Sequence, residues 1–145
     1  MSQAKQTMST SFVEYRGRGF WSFDGYLEHA LAVLADRIGD SPNDKWLTDL
    51  RDHWRNQSSG AFRGWIHPNL DEFLPTEERR EQVLDLLREV LSSTRLTREA
   101  QETLKLIEAL LRGHLNTDAS SALEYMVSGP HPYKWVVGQK KSNEG

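Results

Sequence analysis

Cysteine is absent from this 145-residue chain. Disulfides, thiolate metal sites and cysteine nucleophiles are therefore excluded. Long apolar runs are missing as well. The sequence holds neither the roughly 20 consecutive apolar residues of a membrane helix nor the apolar stretch of about 7–15 residues that defines a secretory signal. These absences predict a cytoplasmic protein with no membrane association. Positive charge is not in excess either: 18 Lys and Arg stand against 21 Asp and Glu, for a formal net charge of −3. That balance argues against a general nucleic-acid binder. Alternation of the strand type extends over no more than four or five residues, and no internal repeat is visible.

What the chain does have is helical periodicity. Hydrophobic residues make up 37% and charged residues 27%, a balance suited to one globular domain with its own core. The first helix is expected from Phe23 to Ile38, with Tyr26, Leu27, Ala30, Leu31 and Leu34 on one stripe. Ser22 is placed as its N-cap, Asp24 sits in the first turn and Gly39 stands at its end. The second helix follows Ser41-Pro42, a start signal, and buries Trp46, Leu47, Leu50 and Trp54 before Ser58-Ser59-Gly60. Residues Ala61–Leu74 read as a buried connector ending in a short helix capped by Asn69. A third helix spans Thr76–Leu91 and a fourth starts at Thr97 and stops at Gly113. The connection between them is short, so they should pack antiparallel. A fifth helix is expected over Asp118–Val127, stopped by Gly129-Pro130-His131-Pro132. An extended arm around Tyr133–Val137 would follow.

The expected fold is therefore an all-α, single-domain bundle of four to five helices with irregular N- and C-terminal arms. Residues 1–14 form a flexible leader, 15–137 the helical domain and 138–145 a polar tail. Leu27, Leu31, Leu34, Leu47, Leu50, Trp54, Leu84, Leu87, Leu104, Ile107 and Leu111 should form the core.

Candidate chemistry is sparse. The chain has five histidines, and no two stand at i, i+3 or i, i+4, so neither a metal nor a redox cofactor is expected. Asp49 and His53 share a helix face and read as a surface ion pair; a base with its orienting carboxylate is the sharper alternative. Arg16-Gly17-Arg18-Gly19 could wrap a phosphate, but it lacks the further glycine and lysine of a phosphate loop, and a flexible turn before Phe20-Trp21 is favoured. Trp65 lies off any amphipathic pattern. It either fills the core beneath a loop, which the cost of exposing a large aromatic favours, or stands exposed as an interface anchor. Asp71, Glu72, Glu77 and Glu78 fall close together. They read as helix-dipole complement and solvated surface or, more sharply, as a recognition patch for a basic partner.

Gly19-Phe20-Trp21-Ser22 opens an amphipathic helix in this reading, and Trp46-Leu47-x-x-Leu50-x-x-x-Trp54-x-x-Gln57 and Leu70-Asp71-Glu72-Phe73-Leu74 follow it. Over roughly Tyr15–Leu91 the chain resembles small single-domain α-helical bacterial proteins of mostly unassigned role. It is similar in style to immunity proteins of contact-dependent and polymorphic toxin systems. That resemblance implies a stand-alone cytosolic protein that binds and blocks a cognate toxin domain, and it brings no catalytic residue with it. The expected function is protein binding rather than catalysis, with Trp65, Asp71, Glu72, Glu77 and Glu78 as candidate partner-binding residues. An enzyme or small-ligand binder using a pocket lined by Trp54, Trp65 and His53 is the alternative, and a helical subunit of a larger assembly is a third reading.

Overall fold

The computed structural model describes residues 9–40, 43–93 and 95–115. The N-terminal eight residues, the expected fifth helix, the arm after it and the polar tail lie outside the described residues.

The described residues open on a β-hairpin. Strand β1 (Thr10–Tyr15) pairs antiparallel with β2 (Arg18–Phe23), from Thr10↔Phe23 to Tyr15↔Arg18. The connection is the two residues Arg16 and Gly17, with φ of 55° and 81°. Positive φ at both positions matches the twist of the flanking strands, as in a type I′ turn. On the inner face Val13 and Phe20 pair within the core, with Ser11 and Ser22 beside them, also buried. The outer face carries the tilted pair Phe12–Trp21, ring centroids 5.2 Å apart. Gly19 belongs to that face, and a Cβ there would run into the Val13 carbonyl and come within 2.6 Å of the Phe12 ring.

Five helices follow: α1 (Asp24–Ile38), α2 (Lys45–Gln57), α3 (Leu70–Phe73), α4 (Glu77–Ser93) and α5 (Arg98–Arg112). Helix accounts for about 62% of the described residues. The all-α expectation is thus corrected. The fold is mixed, helices with a two-stranded antiparallel sheet, and residues 10–15, assigned to the leader and an irregular arm, form a strand.

Helix α1 is the centre of the molecule, packing on α2, α4, α5 and β2. Its stripe of Leu27, Ala30, Leu31, Leu34 and Ala35 is fully buried. Burial at this level contributes on the order of 1.5–3 kcal/mol for each large aliphatic side chain. Every expected core residue is buried except Leu47, which is half-buried at the rim. Trp46 is also at the rim, with the Arg79 guanidinium 4.7 Å from its ring centroid.

The helix ends differ from expectation at two places. The N-cap of α1 is Phe23 rather than Ser22, with no side-chain cap; the Ser22 hydroxyl donates instead to the Phe23 carbonyl at 3.1 Å. Helix α2 starts at Lys45, later than the Ser-Pro signal, with Asp44 as N-cap. The limits of α5 are those expected. Thr97 Oγ1 accepts from the Ala100 amide at 3.1 Å, and Gly113 takes a left-handed conformation. There the Gly113 amide donates to Leu110 and the His114 amide to Ala109, the paired closure of a Schellman motif. No helix among the described residues is long and apolar enough to cross a membrane.

Candidate protein-binding site

Between α2 and α3 the chain runs through residues 58–69 without regular structure, yet its backbone is held at nearly every step. Such a segment has no ladder to satisfy its amides, so side chains must do it. Asp24, at the start of α1, is the main post. Its carboxylate is only 1% exposed. It accepts from the Ser9 hydroxyl, from the Ser11 hydroxyl at 2.6 Å and from the Gly64 amide at 2.5 Å. Ser11 Oγ in turn accepts from the Ile66 amide at 3.0 Å. One turn along α1, Glu28 receives Arg63 at 3.1 Å.

Helix α2 holds the second half. Gln57 Oε1 accepts from the His67 amide at 2.7 Å, and the Trp54 indole donates to the Pro68 carbonyl at 3.0 Å. His53 Nε2 lies 2.7 Å from the His67 carbonyl and donates to it, which places a proton on that nitrogen. His67 Nδ1 accepts from the Asn69 amide at 3.1 Å. Asn69 is left-handed and its side chain makes no cap bond to α3, contrary to the expected role.

Trp65 stands in the middle of this clamped segment and is 81% exposed, the one large apolar side chain among the described residues left in solvent. The preference for core burial is therefore corrected, and the exposed-anchor alternative describes its position. Trp54 and Trp65 face opposite environments, core and solvent, so the Trp54–Trp65–His53 grouping does not converge. Asp49 binds Lys45 at 3.2 Å rather than pairing with His53.

The acidic residues divide. Asp71 Oδ1 accepts from the Arg16 amide at 2.9 Å and so satisfies the hairpin turn. Glu77 lies 3.6 Å from Arg80. Glu72 and Glu78 are exposed and carry no hydrogen bond or ion pair among the described residues. Ser11 and Glu28 have no role in the sequence reading, which takes Asp24 only as a first-turn charge and Gln57 only as part of a packing motif. Their one visible signal was polar character at positions i and i+4 on the stripe of α1, and at the Gln that closes α2. Among the described residues no group of three or more His, Asp or Glu could hold a metal ion.

No protein-family model matches the chain, and neither a curated protein nor a solved structure matches it.

Proposed function

We propose that this chain is a protein-binding module of the cytoplasm that neutralises a cognate toxin domain, with Trp65 as the anchor of the contact. The observation that supports this reading is a solvent-exposed tryptophan on a segment whose backbone is fixed from both sides. A rigid aromatic anchor loses little freedom on binding, and buried tryptophans dominate the energy of many interfaces. Glu72 and Glu78, both exposed, would speed the approach of a basic partner, acting on association rate more than on final affinity. The toxin as partner rests on the resemblance of the packing motifs.

The test is to co-express the chain with candidate toxin domains, beginning with any encoded beside its gene, and to measure affinity. Growth should be protected. Trp65→Ala should weaken binding by about 30-fold or more, the scale of an interface hot spot, while leaving the melting midpoint nearly unchanged, since the side chain is 81% exposed. Full binding by Trp65→Ala would remove the anchor. A toxin left unblocked by the wild-type chain would remove the function.

A further inference from the structure

The Arg16-Gly17-Arg18-Gly19 run has no role in the Trp65 site, but the fold gives it company. A cavity of about 420 Å³ lies where the hairpin turn, the start of α4 and the end of α5 meet. Arg16 and Arg18 come from the turn, Arg80 from α4, and Arg112 and His114 from the end of α5. Glu81 is the single carboxylate in its wall among the described residues. Four arginines from three separate elements thus line one concavity.

Each is placed differently. Arg18 pairs with Tyr15 at the first position after the turn, on the side of the hairpin that carries Val13 and Phe20, and is itself exposed. Its side chain makes no hydrogen bond or ion pair among the described residues. The Arg16 guanidinium lies 5.0 Å from the centroid of the Tyr15 ring, which braces it. Glu108 takes Nε and Nη2 of Arg112 at 3.2 and 3.1 Å, which orients that side chain and leaves Nη1 without a hydrogen bond among the described residues. Arg80 lies 3.6 Å from Glu77, beyond hydrogen-bond length, and its side chain makes no hydrogen bond among the described residues. The end of α5 works against an anion: the Schellman closure takes up the carbonyls of Ala109 and Leu110, two of the last four, and the arginines must outweigh the rest. The bottom is closed by Tyr15, Leu84, Leu110 and Leu111, each at most 3% exposed, so only their apolar edges face a ligand.

We propose that this cavity binds a small phosphorylated organic molecule, its phosphate among the arginines and its body against those apolar edges. Planar guanidinium forks match the oxygens of phosphate two at a time, and several forks suit a dianion better than a single carboxylate. The volume lies within the range of small-molecule sites, and a concavity with apolar edges at its bottom fits a compact ligand rather than a flat protein face. This site is independent of Trp65, and failure of either leaves the other standing.

Calorimetric titration of the full chain at low salt, with inorganic phosphate and phenyl phosphate as probes, tests the proposal; a Glu-rich peptide serves as a third arm. Phenyl phosphate should bind saturably, with Kd below about 1 mM, tighter than phosphate and in competition with it. Arg18→Gln should weaken it at least about tenfold, one fork's share of a charge-assisted contact. Its unliganded melting midpoint should stay where it is, because the Arg18 side chain is exposed and makes no hydrogen bond or ion pair among the described residues. Arg18→Lys should recover part of the loss. Three results would overturn the proposal: no saturable binding of either phosphate probe, phenyl phosphate no tighter than phosphate, or Arg18→Gln binding like wild type. Saturable binding by the peptide alone would also overturn it and assign the cavity to an acidic protein partner.

Discussion

Two regions of this protein are held by different forces. Around α1 the helices are joined by apolar packing, and the polar atoms there are spent on helix ladders. Where residues 58–69 lie against the hairpin, whose Val13 and Phe20 join the core, the loop itself buries little beyond Ile66 and Pro68, and its order comes from Asp24, Ser11, Gln57 and Trp54 reaching backbone amides and carbonyls. Packing energy scales with area and tolerates approximate shapes, whereas a buried carboxylate needs all its partners at once. The loop is thus the more brittle of the two, and it carries Trp65.

The sharpest way to separate them is to damage each in turn. Leu87→Ala, in the centre of α4 and fully buried, should lower unfolding free energy by about 2–5 kcal/mol in a denaturant titration. The whole chain should lose stability with it. Asp24→Asn should cost less, about 1.5–3 kcal/mol, the worth of hydrogen bonds to a charged group. Its signature is local: the Gly64 and Ile66 amides should exchange with solvent much faster while those of α4 and α5 stay protected. Equal loss of protection in both regions would dissolve the distinction drawn here. Arg63→Ala should have the smallest effect, below about 1 kcal/mol. The Arg63 side chain is 54% exposed although Glu28 is only 11% exposed, so water screens the pair and can replace the arginine. A loss several times larger, read from the melting midpoint, would mean that Glu28 depends on Arg63 as a buried charge would.

The same division governs what could be read from the sequence. The helices around α1 were legible because Leu27, Leu31 and Leu34, or Leu104, Ile107 and Leu111, repeat at the period of a helix, and Thr97 and Gly113 mark their ends. The hairpin was not, for two reasons. Its inner face includes Ser11 and Ser22 while its outer face carries Phe12 and Trp21, so hydrophobicity does not alternate. Its turn uses Arg-Gly where Asn-Gly or Gly-Gly is the usual signal. The partner-binding candidates were legible only as types. Glu72 and Glu78 are exposed, but Asp71 is engaged by the Arg16 amide, a contact across 55 positions that local pattern cannot reveal. The exposure of Trp65 depends on the loop's path, and the meeting of Arg16 and Arg18 with Arg80 and Arg112 depends on three elements docking. Neither has a period.

Asp24 also sets the grain of the protein's fluctuations. Its partners Ser9 and Ser11 stand around the start of β1 and Gly64 in the loop after α2, segments that share no ladder, so an opening that frees one strands a charge and unseats the other. The hairpin end and the tryptophan segment should therefore open together as one cooperative unit, below the free energy of global unfolding. Amides as far apart in the chain as Gly64 and Ile66 on one side and Asp24 on the other, whose own N–H donates to the Ser9 carbonyl at 2.9 Å, would then report a single opening equilibrium. Trp65 is presented, or lost, by the same event.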